Sequence, residues 1–207
     1  MAEAAFRQAL QLRSEWPESQ ANLGRLLLSA GRSAEAAPLL GRAAARAPSV
    51  SVLVNLGVAA AQDGRLDVAA EAFSATLVHE PKNYEAMANI AAVRIEQALA
   101  AHVVEYREQF LHESLRLSQA AIEGEPEASA SRARLNQASA YAALGKNRAA
   151  TESYEELLRL DPELAEAYED YGRLLVRMGD AGAADVLRRG GRTGGKLRAD
   201  LAGPGRS

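Results

Sequence analysis

Few residues in this chain have the chemistry and spacing for catalysis. His79, His102 and His112 are the only histidines, and no two of them stand four residues apart as a helical metal pair requires. There are no cysteines, which removes disulfides, thiolate zinc sites and a cysteine nucleophile. The glycine pairs Gly190-Gly191 and Gly194-Gly195 follow no strand and lead into no GK[ST] ending, so they make no phosphate loop. Glutamates are abundant, but in helical stretches they serve as solvent-facing partners of Arg and Lys. These observations point to no enzyme activity, no cofactor and no metal. The chemistry that does recur is an amide. Asn22, Asn55, Asn89 and Asn136 return at one position of successive segments, and Asp170 replaces the asparagine in the next. Asparagine competes with its own backbone for hydrogen bonds and is a mediocre helix former, so propensity does not explain the recurrence. A side-chain amide both donates and accepts, and can therefore pair with the C=O and N–H of an extended peptide.

The elements that must carry this row are helices. Of 207 residues 48% are hydrophobic, 25% charged and only 5% aromatic, a soluble composition whose many alanines suit close helix-on-helix packing. Self-similarity is visible directly. Asn22-Leu23-Gly24 returns as Asn55-Leu56-Gly57, 33 residues on, and each is followed seven residues later by a second glycine, Gly31 or Gly64. Tyr168, Tyr171, Gly172 and Gly179 repeat the scheme, and Ala150, Tyr154 and Pro162 match Ala69, Phe73 and Pro81. Each segment reads as two helices with apolar residues at i, i+3, i+4 and i+7, joined at a glycine able to take the left-handed conformation. Pro48, Pro81, Pro126 and Pro162 stand where one segment hands over to the next, since proline cannot continue a helix but can open one.

These residues resemble the tetratricopeptide pattern, W-x2-L-G-x2-Y, then A-x3-F, then P, at a period of about 34. Leu53, Leu56, Gly57, Ala69, Phe73 and Pro81 carry it in one segment, and Tyr141, Gly145, Ala150, Tyr154 and Pro162 in another. The resemblance implies an all-α fold, a right-handed α-solenoid of about five helix pairs at residues 17–49, 50–83, 84–130, 131–164 and 165–189. An N-terminal orphan helix with Phe6, Ala9 and Leu10 precedes them, in the place of a second helix. The orphan start leaves open a fragment of a longer array or a simple cap.

Two segments depart from the pattern. The third is long and has no glycine or proline between Asn83 and Gly124, so its turn is expected near residues 98–104. Leu99, Val103, Val104, Tyr106 and Phe110 are expected to pack against one another across that hairpin; a docking or self-association surface is the alternative. In the last segment Arg188 stands where an aromatic is expected, and Gly190-Gly191 is expected to end the helix. Residues 190–207 then form a basic, disordered tail. Arg188, Arg189, Arg192, Lys196, Arg198 and Arg206 against Asp200 give the last twenty residues +5, while the whole chain carries −3.

The resemblance also implies that the first helix of each pair lines a concave groove. The asparagines then form a row along it, similar to the asparagine ladder of the tetratricopeptide superhelix of O-linked N-acetylglucosamine transferases. Asn22, Asn55, Asn89, Asn136 and Asp170 are the expected peptide contacts, with Arg25, Arg132 and Arg173 as groove cations. A carboxylate clamp of the chaperone-binding type is disfavoured, because Glu18 and Glu85 stand four residues before Asn22 and Asn89 and would repel a terminal carboxylate. The expected function is an adaptor holding a protein or peptide partner. A substrate-recruiting piece of a larger enzyme, such as a glycosyltransferase, and a self-assembling scaffold are the alternatives. No small-molecule substrate and no nucleic acid are expected. No apolar run reaches the ~20 residues of a membrane span, and a cytoplasmic location is expected.

Overall fold

The computed structural model describes residues 2–124 and 130–202, with side chains to residue 193. Among these the chain is all helical. The elements are α1 (Ala2–Leu12), α2 (Pro17–Ser29), α3 (Ser33–Arg46), α4 (Val50–Gln62), α5 (Leu66–His79), α6 (Tyr84–Ala100), α7 (Val104–Gly124), α8 (Ala130–Ala143), α9 (Asn147–Leu160), α10 (Ala165–Met178) and α11 (Ala183–Ala202). This is the all-α helical-repeat architecture expected from the sequence period. It divides into two compact bodies, residues 1–107 and 108–207.

Four of the turns between paired helices close in one way. Gly31, Gly64, Gly145 and Gly179 all have φ between 70° and 75°, where a side chain would be strained. At the first, Arg32 N donates to the Leu27 carbonyl at 2.9 Å and Gly31 N to that of Leu28 at 3.0 Å, a Schellman ending that satisfies two helix-terminal carbonyls. The same two bonds recur at Gly64, Gly145 and Gly179. Between α6 and α7 there is no such glycine, and Ala101 stops α6 in an extended conformation, φ −72° and ψ 127°. Pro48, Pro81 and Pro162 lie two residues beyond α3, α5 and α9. Pro126 lies outside the described residues.

In the first body, Leu23, Leu27, Ala36, Leu40, Leu56 and Ala72 form the core between α2, α3, α4 and α5, and Phe6 and Leu10 of α1 pack on it half-buried. Alpha-1 buries no residue fully. Ionic contacts hold it as well: Arg32, at the start of α3, meets Glu3 at 3.0 Å, and Arg7 meets Glu35 of α3 at 3.4 Å. The core of the second body gathers Leu135, Ala150, Tyr154, Leu157, Tyr171, Leu174 and Ala183. There the Tyr154 and Tyr171 rings stack at 5.5 Å between centroids, 19° from parallel.

Close approach within pairs comes from small residues. A Cβ on Gly24 would lie 2.6 Å from Leu40 Cγ, and Ala36, Ala69 and Ala150 are fully buried at the start of each second helix. Two expectations fail in the last pair. Arg188 does not stand in the aromatic's place, because the loop before α11 shifts the helix by one residue, so that Ala183 and Leu187 take the positions of Ala69 and Phe73 and Leu187 abuts Gly172. Nor does Gly190-Gly191 end the helix, since α11 continues to Ala202. Gly190 is buried because a Cβ there would come within 2.6 Å of Tyr168 Cβ. It serves close packing and not termination. Residues 203–207 of the expected disordered tail lie outside the described residues.

The long third segment also differs from expectation. Leu99, Val103, Val104 and Tyr106 are 70%, 46%, 57% and 59% exposed, so they do not bury one another across the hairpin; Phe110 is half-buried. Gln97 and Ala98 take the inward positions of the last turn of α6, and Leu99, about 100° further round the helix, is rotated outward. Gln97 is held there by a 2.7 Å bond from its Nε2 to Asp67 of α5.

Candidate functional site

The amide row begins in the first body, where the first helices α2 and α4 touch each other. Each helix places its asparagine one residue before an inward leucine or isoleucine: Leu23, Leu56 and Ile90 are buried, while Asn22, Asn55 and Asn89 beside them are half-buried. Such a position lies at the rim of the inward stripe, partly open to solvent. The side-chain amides of Asn22 and Asn89 make no hydrogen bond among the described residues. Asn55 Nδ2 donates to the Ser51 carbonyl of its own helix at 2.8 Å, which leaves its Oδ1 as the open group. Arg25, one turn beyond Asn22, is exposed and unpaired among the described residues.

The second body treats the same position differently. Asn136 is 7% exposed and is not without a partner. Asp170 is ion-paired with Arg173 one turn on, and it accepts a 3.4 Å bond from Ser139 Oγ. Ser139 in turn meets the hydroxyl of the buried Tyr154 at 3.0 Å. The Asp170 carboxylate holds the Arg173 guanidinium above its usual pKa. Burial pushes the Tyr154 phenol up to about 12, with its hydrogen bond to Ser139 opposing and the charge of Asp170 adding to it. Tyr171, whose hydroxyl donates to Glu155 at 3.0 Å, is pushed up to about 12 by burial and by that carboxylate. Asp170, Arg173 and Ser139 thus form one polar cluster, and Arg132 stands exposed on α8.

The cluster around Tyr154 was not legible from the repeat. Tyr154 reads as the aromatic of the pattern, and only the fold brings Ser139 of α8 and Asp170 of α10 to its hydroxyl. Among the described residues no group of three His, Asp or Glu side chains is placed to hold a metal ion, and no helix is long and apolar enough to cross a membrane.

Comparison with known proteins agrees with this architecture. Tetratricopeptide-repeat family profiles match residues 2–51, 21–88 and 131–164. No curated protein matches in sequence. Among solved structures, the tetratricopeptide protein TTC0263 from Thermus thermophilus superposes with a TM-score of 0.74 at 20% identity, over 90% of this chain and 94% of that one. MamA from Desulfovibrio magneticus RS-1 gives 0.67 at 21% identity, over 87% and 96%. YrrB, described as a TPR protein with an unusual peptide-binding site, gives 0.60 at 17% identity, over 91% and 92%. With the glycine-closed helix pairs, the Ala-x3-Phe packing and profile matches over more than half its length, the chain belongs to the tetratricopeptide-repeat family.

Proposed function

We propose that the protein is an interaction adaptor that grips an extended peptide through the amides of its first body. The observation that carries this reading is the set Asn22, Asn55 and Asn89, one per consecutive first helix, each half-buried and each with amide groups not consumed by the fold. A half-buried amide is already partly desolvated, so pairing it with a peptide N–H or C=O costs less than pairing a fully hydrated one. The peptide-binding site named for YrrB supports a peptide as the ligand of a related fold. Arg25 is the cation beside the first amide and would favour an acidic residue in the peptide. In the second body Asp170 and Arg173 neutralise each other, and Asn136 is buried, so that body would contribute less to backbone gripping and more to side-chain choice, through Arg132.

The test is a titration with the best binders from a displayed random-peptide library. Asn22→Ala with Asn89→Ala should weaken binding by about ten-fold, roughly one good hydrogen bond per residue, while helicity is unchanged by circular dichroism. Unaltered affinity in that double variant would reject the amides as the gripping device.

A further inference from the structure

The chain builds one corner twice, from different side chains. The fourth residue of α2, Gln20, reaches back over the incoming loop and donates from Nε2 to the Ser14 carbonyl at 2.7 Å. The fourth residue of α10, Tyr168, does the same with its hydroxyl, to the Pro162 carbonyl at 3.1 Å. Both acceptors lie six residues back. On the facing second helices Leu40 abuts Gly24 and Leu187 abuts Gly172, and two residues beyond each leucine stands an arginine, Arg42 and Arg189. In the C-terminal pair the corner is filled by an aromatic ring: Arg189 Cζ lies 5.4 Å from the centroid of Tyr168, and its guanidinium donates to the Tyr168 hydroxyl at 3.4 Å.

In the N-terminal pair the ring is replaced by a glutamine, and the corner holds a cavity of about 500 Å³ lined by Leu10, Ser14, Glu15, Gln20, Arg42 and Arg46, with Ala45. Gln20 is 1% exposed. Its Nε2 is committed to Ser14, and its buried Oε1 receives no hydrogen bond. Only the NH2 of an amide can donate to a carbonyl, so the orientation is determined and the unpaired atom is an acceptor. Arg46 is held by Glu15 at 2.6 Å, whereas Arg42 has no partner among the described residues. The corner therefore combines a buried acceptor without a donor, a guanidinium without a partner among the described residues, and an apolar wall.

We propose that this corner binds an aromatic side chain bearing a ring hydroxyl, a tyrosine of a partner chain. Its ring lies against Arg42 and Leu10 as that of Tyr168 lies under Arg189, and its hydroxyl donates to Gln20 Oε1. A carboxylate would pair with Arg42 but would set a second acceptor against Gln20 Oε1 and leave that atom unsatisfied, whereas a phenol supplies the donor and the face together. The site uses none of Asn22, Asn55 or Asn89, and so stands or falls apart from the amide row.

The test uses the full chain labelled with 15N, titrated at millimolar concentration with N-acetyl-tyrosinamide, N-acetyl-phenylalaninamide and acetate. The tyrosine amide should saturably shift the Gln20 side-chain amide and Arg42 Nε–H signals, and the phenylalanine amide should bind about ten-fold more weakly, because a buried acceptor rejects a ring without its hydroxyl. Arg42→Gln, on an exposed position, should weaken the tyrosine amide several-fold. Gln20→Leu, which places at that position the leucine found at Leu53, should erase the preference between the two rings. Absence of a saturable shift, equal binding of the two amides to the unaltered protein, saturation of the same signals by acetate at lower concentration, or indifference to Arg42→Gln would each overturn the assignment.

Discussion

Gly57 of α4 lies directly against the ring of Phe73 of α5: a Cβ at residue 57 would stand 2.5 Å from Phe73 Cε1 and 2.6 Å from Cζ. Phe73 is 2% exposed and wedged into the core, so the ring has no free direction of retreat. The Leu-Gly of the repeat is therefore one half of a contact whose other half is the Ala-x3-Phe.

Gly57→Ala sets two effects against each other. Alanine is the better helix former by about 1 kcal/mol, but overpacking a well-filled core costs about 1–3 kcal/mol, and three ring atoms within 2.7 Å place this site among the costly cases. The melting temperature should fall. Gly41→Ala in α3 is the control: the new Cβ would meet only Leu56 Cδ1, at 3.9 Å, so propensity acts alone and stability should rise by up to about 1 kcal/mol in urea unfolding. Equal shifts for the two variants would contradict the packing account.

The exposed apolar corner between α6 and α7 should be indifferent to polarity. Leu99→Ser and Tyr106→Ser remove side chains that are 70% and 59% exposed, and each should change unfolding free energy by no more than about 0.5 kcal/mol. A loss of about 2 kcal/mol or more in denaturant titrations would show that these residues bury one another after all.

The two stacked tyrosines make stability depend on alkaline pH. The folded phenols of Tyr154 and Tyr171 are raised to about 12 from an ordinary value of 10. Above pH 10 the unfolded chain therefore releases protons that the folded chain retains, and unfolding is favoured as pH rises. Their stabilisation is complete below pH 10 and is lost between about 10 and 12, at up to about 1.4 kcal/mol per pH unit for each tyrosine. Melting temperatures measured from about pH 9 to 11.5 should fall, and Tyr154→Phe should flatten the slope.

Alpha-1 should be the first element to open. It buries no residue fully and is tied by partly exposed ion pairs, Arg32 with Glu3 and Arg7 with Glu35. The arginines hold the Glu3 and Glu35 carboxyls below their usual pKa, so the ties persist above the carboxylate range and weaken as pH falls through it. Hydrogen exchange over residues 2–12 should quicken with added salt and with Arg32→Gln, while α4 and α5 keep their protection. Uniform protection of α1 and α5 in high salt would contradict this.

How much could be read in advance varied with the range of the interaction. The left-handed glycines at 31, 64, 145 and 179 were legible because a helix stop is a local event, decided by one residue's allowed backbone angles. The same logic misread Gly190, where a glycine inside a helix makes room for Tyr168 on another helix and no local rule distinguishes the two uses. Arg188 was misplaced because a one-residue change in loop length rotates a whole helix, and loop length is not visible in periodicity. Leu99 was expected to pack across the hairpin because it is apolar, yet the inward positions of its turn were already taken by Gln97 and Ala98.

By itself the sequence determined the helix-pair repeat, its period and the recurrence of asparagine at one register, because these follow from side-chain type and spacing along a single chain. Only the tertiary structure decided which amides remain open. Asn22 and Asn89 stand at the rim of their helices while Asn136 is buried, and Gln20, at the aromatic position of the W-x2-L-G pattern, comes to share a cavity with Arg42, which no motif includes. The reason is physical: exposure and unsatisfied hydrogen-bonding capacity are properties of the surroundings, and the surroundings of each helix are supplied by residues distant along the chain.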